Sequence, residues 1–129
     1  ALDAALTPGA HAAQLHAVRE GHCGLLPEAQ LPGMVRIQIA RDQSMARTVA
    51  AAPRAPGRVV LLVAGGGHVL RSRGVPVHLP KNLRQKVVLA HAGVSDAAID
   101  TEADMRAATA ALPAHDACAP LRAQAAARE

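Results

Sequence analysis

Apolar residues recur at helical spacing in two stretches of the first half of the chain. Residues 10–20 predict a short helix that begins near Thr7 or Pro8. The longest helical pattern covers residues 32–52, with a proline in its first turn and Pro53 directly after its end. The first half is therefore expected to contain two helices joined by a glycine-bounded loop.

Two runs rich in valine and leucine predict β-strands in the second half. Residues 58–64 form an unbroken apolar run bounded by turn residues, which favours a strand buried on both faces, as in parallel sheets. Residues 86–92 predict a second strand. Between them, residues 74–80 contain two prolines and predict an irregular connection.

The last third of the chain is rich in alanine. Residues 96–112 predict a helix with Asp96 as its N-cap, and a frayed tail is expected beyond Pro113. This order of helices and strands predicts an α/β fold, with part of a parallel sheet flanked by helices. Because two strands are too few for a complete sheet, we expect the chain to be the C-terminal portion of a larger fold whose other strands precede it.

Composition narrows the range of functions. The 129 residues include no Phe, Tyr or Trp, which excludes an aromatic stacking platform for nucleic acid and any tyrosine nucleophile or ligand. The net charge of +4 comes from scattered residues, so we expect no nucleic-acid partner. Cys23 and Cys118 lack a CxxC spacing and form either one disulfide in an oxidising compartment or two unpaired thiols.

One carboxylate lies within the apolar stripe of the long helix. At 100° per residue, Asp42 and Gln38 fall on the same face as the apolar residues Met34, Val35, Ile39, Met45, Ala46 and Val49. A carboxylate on a buried face must be paired or hydrogen-bonded. Either Asp42 pairs with Arg41 or caps a loop, or it projects with Gln38 into a pocket.

A histidine follows three glycines at the end of the first predicted strand. Ligands bind outside the carboxyl ends of strands in open α/β sheets, and this is where His68 would lie. The alternative is a plain turn, since the GxGxxG and P-loop spacings are absent. His22, beside Cys23 in the first loop, is a further candidate for a cofactor-binding residue. No GxSxG or HExxH motif is present, so the chain does not contain a self-sufficient hydrolase site.

Several blocks together resemble the C-terminal half of the ChaN family, which comprises haem-binding iron-uptake proteins grouped with Tiki and erythromycin-esterase-like folds. The segment AGGGHV at residues 64–69, followed by Arg71, Arg73 and GVP at residues 74–76, is similar to the family's AGxGHVRRDxGVPxxL segment, with Ser72 in place of the usual Asp. The other similar blocks are GHCGLLP at 21–27, LPGMV at 31–35, the group Gln38, Ala40, Arg41, Asp42, Met45 and Ala46, and HDACA at 115–119.

The resemblance implies a ligand cleft at the edge of a parallel sheet. In that cleft His68 would contact a haem, as iron ligand or distal residue, beside a GExHDxxxHH-type motif expected in a preceding N-terminal half. The haem would be lined by Gln38, Asp42 and Met45, while Arg71 and Arg73 pair with its propionates. Haem ligation in the family is associated with tyrosine, which this chain lacks, so the ligand here would be His or Met, or would come from elsewhere.

The resemblance also implies a place in the cell. Residues 1–122 would be the C-terminal part of a ChaN-like domain and residues 123–129 a polar, alanine-rich tail. We expect a non-enzymatic haem-binding protein of bacterial iron uptake, a periplasmic lipoprotein associated with the outer membrane through an N-terminal anchor, with a homodimer as one possible assembly.

Two other hypotheses remain open. In a metal-dependent hydrolase of the Tiki and erythromycin-esterase type, His68 would be a metal ligand or general base and Asp42 its orienting partner. In a fragment that binds nothing specifically, the apolar strand edges would simply be exposed.

Overall fold

The first half of the chain forms a helical hairpin. A computed structural model describes residues 2–94 and 97–127, in which α1 covers Pro8–Gly21 and α2 covers Leu31–Ala51. Thr7 caps α1, since its Oγ1 accepts a hydrogen bond from the Ala10 N–H at 3.3 Å. Both predicted helices are confirmed.

An aliphatic core lies between these two helices. Val35 and Ile39 on α2 are 0% and 1% exposed. Burying each such side chain contributes about 1.5–3 kcal/mol. The full cluster of buried residues is Leu6, Ala10, Val18, Leu31, Val35 and Ile39. Because the chain has no Phe, Tyr or Trp, close packing of short side chains has to supply this core.

The second half supplies the sheet. A single helical turn, α3, covers Val75–His78, and two parallel strands follow, β1 at Val88–Ala92 and β2 at Met105–Thr109. Another short turn, α4 at Ala97–Asp100, lies in the crossover between the strands. The α/β class with a parallel sheet and flanking helices is therefore confirmed.

The predicted strand at residues 58–64 is not formed. Val59, Leu61 and Val63 are 91%, 82% and 84% exposed, and within the described ranges this segment pairs with no strand. A strand exists only where a neighbour completes its ladder of hydrogen bonds, and an apolar run does not specify that neighbour.

The prediction of one helix over residues 96–112 is also wrong. Within the described residues 97–112 only α4 is helical, and β2 occupies the middle of that range. Pairing with β1 overrides the intrinsic preference of alanine for helix. Asp96, the predicted N-cap, lies outside the described residues.

Two connections contain more helix than the sequence indicated. The expected irregular segment at residues 74–80 includes α3, and the expected frayed tail includes α5 at Ala119–Ala126. All residues of α5 are exposed. Across residues 2–94 and 97–127, no helix combines the length and apolarity that crossing a bilayer requires.

A disulfide between Cys23 and Cys118 connects the hairpin to α5 across 95 positions of sequence. This decides between the two alternatives that the sequence left open. Cys23 has a φ of 59° in the turn after α1, a left-handed backbone conformation that residues other than glycine rarely adopt. The cross-link fixes α5, whose exposed residues bury little against the rest of the structure.

Loss of this disulfide should destabilise the protein. By restricting the unfolded chain, a cross-link over 95 positions is expected to contribute about 2–4 kcal/mol. The double variant Cys23→Ser, Cys118→Ser should show a correspondingly lower free energy of unfolding in urea. Thiol titration of the unfolded, unreduced wild type should find no free thiol, and two titratable thiols would contradict the cross-link.

Candidate functional site

A single buried carboxylate marks the site. Asp42 is 2% exposed and is the one charged or polar residue that is buried within the described part of the chain. The buried positions of α2 are Leu31, Val35, Ile39, Asp42 and Ala46, which follow one another at intervals of three or four. The helical spacing therefore placed Asp42 correctly on the buried face.

The partner of Asp42 is His68. The Nδ1–H of His68 donates a hydrogen bond to Oδ1 of Asp42 over 2.6 Å. The two side chains differ in access, since Asp42 is 3% exposed and His68 is 27% exposed. The predicted alternative of a pair with Arg41 is wrong, because Arg41 is exposed and His68 takes that place.

The hydrogen bond also determines which nitrogen of the imidazole is available. With the proton of the neutral ring on Nδ1, the lone pair is on Nε2. A carboxylate that fixes the tautomer in this way is the common arrangement behind a metal-ligating histidine. The same arrangement orients a general base in hydrolases.

A glycine-rich turn carries His68 to the helix. Residues Gly66–Val69 form a 3₁₀ turn in which the His68 N–H donates to the Gly65 carbonyl at 2.9 Å. The backbone then returns, and the Gly74 N–H donates to the Leu70 carbonyl at 2.8 Å. A Cβ on Gly74 would lie 2.3 Å from the carbonyl oxygen of His68, so only glycine permits this approach.

A second histidine faces the same carboxylate. Burial raises the pKa of Asp42 above its usual value, against the opposing hydrogen bond and charge of His68 and the charge of His78. Burial lowers the pKa of His78, and the charge of Asp42 opposes that change. Nε2 of His78 is buried without a hydrogen-bond partner in the described structure. No local pattern in the sequence indicated His78, because α3 brings it to α2 only through packing.

The structure places the other four predicted ligand-binding residues in different surroundings. Gln38 and Met45 are half-buried on α2, one turn before and after Asp42. Arg71 is paired with Asp104, whereas Nε of Arg73 is buried and has no partner among the described residues. These four placements leave their predicted roles in ligand binding as predictions.

His22 has a structural contact at the end of α1. Its Nδ1–H donates to the carbonyl of Val18 at 2.7 Å, and the same carbonyl accepts from the backbone N–H of His22 at 3.1 Å. Its part in cofactor binding also stays a prediction. In residues 2–94 and 97–127, no three His, Cys, Asp or Glu residues converge as a metal-binding group, so a metal at His68 would take its remaining ligands from elsewhere.

Gly74→Ala should disturb the turn that holds His68. The added Cβ would meet backbone atoms, which cannot move aside as a flexible side chain can. We expect a loss of about 1–3 kcal/mol in the free energy of unfolding. Gly67→Ala is the matched control, because a Cβ there meets no atom within 4 Å. Equal stability of the two variants in urea denaturation would contradict the close approach at Gly74.

His78 should make the stability depend on pH. Because its pKa is lowered in the folded protein from 6.5, the unfolded chain binds the proton more tightly. The contribution of His78 to the free energy of unfolding is therefore fully present above pH 6.5. It falls as the pH decreases below 6.5 and through the lowered pKa of the folded state. Asp42, whose pKa is raised, has the opposite sign, and its contribution to stability falls as the pH rises from 3.8.

Comparison of variants isolates the contribution of His78. Urea denaturation at about pH 7.5 and about pH 5.5 should show a smaller loss on acidification for His78→Gln than for the wild type. His16→Gln, at an exposed position of α1, is the control and should behave as the wild type does. The same acid loss in His78→Gln and the wild type would contradict the assignment.

Comparison with known proteins identifies the family. No curated protein and no solved structure matches the chain. A family model described as haem-binding uptake, Tiki superfamily, ChaN, matches residues 1–79, which include α1, α2, the glycine-rich turn and both residues of the buried pair. With more than half of its length matched, the chain belongs to the ChaN family of haem-binding uptake proteins in the Tiki superfamily.

Proposed function

We propose that this protein binds haem in bacterial iron uptake, with His68 as the residue that faces the iron and Asp42 as its positioning residue. The observation that carries the proposal is the 2.6 Å hydrogen bond from Nδ1 of His68 to the buried carboxylate of Asp42. It orients the ring and leaves Nε2 free to ligate. The name of the family points to the same ligand.

The chemistry of these residues fits haem iron. Neutral imidazole is a common axial ligand of haem, and a hydrogen bond from its other nitrogen to a carboxylate increases its basicity. When bound, haem would supply an iron centre that Nε2 of His68 could ligate. The partial exposure of His68, at 27%, lets a ligand reach the ring while the carboxylate behind it stays buried.

Burial of Asp42 also makes the arrangement rigid. A carboxylate at 2% exposure is costly without a hydrogen-bonding partner, so His68 is held in place by the need to satisfy it. Gln38 and Met45, on the same face of α2, would extend the wall of the site. Apart from histidine, any haem contact from this chain is aliphatic or polar, since Phe, Tyr and Trp are absent.

We also propose that the protein acts in the periplasm or at the outer membrane. The disulfide between Cys23 and Cys118 supports an oxidising compartment, because such bonds are rarely stable in the bacterial cytoplasm.

The hydrolase hypothesis would use the same pair of residues as the haem proposal, with His68 as base and Asp42 as orienting group. The family match names haem-binding uptake instead.

Haemin titration followed by the Soret band tests the haem proposal. The wild type should show a saturable, shifted band, and His68→Ala should lose it because the ligating nitrogen is removed. His16→Ala, at an exposed position on α1, is the control and should bind as the wild type does. An identical Soret band in His68→Ala would contradict ligation by His68.

Asp42→Asn keeps the test informative if His68→Ala also unfolds the protein. Replacing a carboxylate that orients a ligating histidine is expected to weaken haemin binding by about 10–100-fold. Circular dichroism should show the helical content retained. A large decrease in melting temperature with unchanged haemin affinity would instead show that the pair is purely structural.

A further inference from the structure

A cleft lies along β1 and just beyond its carboxyl end. Residues on both sides of His68 in the sequence form its other wall. The cleft has a volume of about 360 Å³, within the size range of small-molecule sites. Its lining residues are Gly66, Gly67, Leu70, Arg73, Leu89, Ala90, His91, Val94 and Ile99. His68 is not among them, so the cleft is distinct from the surface that the imidazole faces.

Arg73 is the one formally charged side chain among the lining residues, and they include no carboxylate. Its Nε is buried and has no hydrogen-bond partner in the described structure. A buried donor without an acceptor is costly. Because the same side chain also lines the cleft, an anion bound there would offset part of this cost through its attraction to the guanidinium charge. A guanidinium group is best matched by a planar anion such as a carboxylate.

Two acidic residues just before β2, Glu102 and Asp104, already have other partners. Asp104 pairs with Arg71 and accepts a hydrogen bond from the Val87 N–H at 2.7 Å. Glu102 accepts from the Ser72 N–H at 2.9 Å. Neither contact involves Arg73, so neither of these two carboxylates neutralises its charge.

The remaining walls of the cleft are apolar. Leu70 and Leu89 are 3% and 7% exposed, and Ile99 lies on α4, in the crossover between β1 and β2. Gly66 and Gly67 present no side chain, so the backbone leaves the cleft open. His91 is oriented by its Nδ1–H, which donates to the Gly93 carbonyl at 3.0 Å.

From this combination we infer that the cleft binds the carboxylate of an amphiphilic molecule, with the carboxylate on Arg73 and the hydrocarbon part against Leu70, Leu89 and Ile99. Two sources share this chemistry. One is a free aliphatic acid, for which the inference is independent of the proposed function. The other is a propionate of haem, for which it rests on the proposed function.

Octanoate binding measured by calorimetry tests the free acid. Arg73→Gln should weaken binding by about tenfold or more, as expected for loss of a charge-assisted hydrogen bond. Arg47→Gln, at an exposed position of α2, is the matched control and should bind as the wild type does. Gly66→Leu should also abolish binding, since a Cβ there would lie 3.7 Å from Cδ1 of Leu89, a residue of the cleft wall, and the longer side chain would occupy the cleft.

Haemin and haemin dimethyl ester distinguish the second source. If a propionate occupies the cleft, haemin should bind more tightly than the ester, and Arg73→Gln should remove the difference. If octanoate binds through Arg73 while haemin does not bind at all, the cleft is a free-acid site and the haem proposal fails alone.

Three results would overturn the inference. The first is octanoate binding that is equal in Arg73→Gln and wild type, with the haemin preference also unchanged. The second is octanoate binding that persists in Gly66→Leu. The third is no octanoate binding together with equal affinities for haemin and its ester. Thermal melts of each variant, monitored by circular dichroism, confirm that the comparison is made on folded protein.

Discussion

The hydrogen bond between Asp42 and His68 is the constraint on which the arrangement of the two halves depends. A buried carboxylate on α2 requires a donor, and the donor comes from a turn 26 positions later in the chain. Packing of that turn and of α3 against α2 therefore has to accompany burial of Asp42. The close approach of Gly74 to the backbone of His68 shows how tightly the turn is shaped for this contact. Formation of the site and docking of the second half onto the hairpin are consequently the same event.

Local patterns predicted the parts of the structure that depend on local interactions. The spacing of apolar residues gave α1 and α2 and placed Asp42 on the buried face. The glycines before His68 indicated a turn that carries a side chain to a functional position. The pairing of Asp42 with His68 required the family resemblance, since neither residue specifies the other by spacing. His78 was missed for the same reason, as its approach to Asp42 results only from tertiary packing.

Two of the failed predictions involve strands, and they share a cause. Residues 58–64 have the composition of a buried strand, yet Val59, Leu61 and Val63 are exposed because no described segment pairs with them. The opposite error occurred at β2, where an alanine-rich sequence pairs with β1. A strand is defined by its neighbour, so its own sequence carries only half of the information. The disulfide was undecided at sequence level because two distant cysteines become a bridge only when the fold brings them together.

The glycine-rich turn explains how so small a chain places two chemically different groups near each other. Residues 65–67 have no side chains, so the backbone can turn sharply into His68 and still leave the cleft at Gly66 and Gly67 open. The imidazole is held by a buried negative charge, and the guanidinium of Arg73 lies in an apolar cleft with its Nε unsatisfied. One group is suited to a metal centre and the other to a carboxylate. A ligand that carries both, as haem does with its iron and propionates, would use both sides of the turn, whereas a ligand that carries only one would distinguish them.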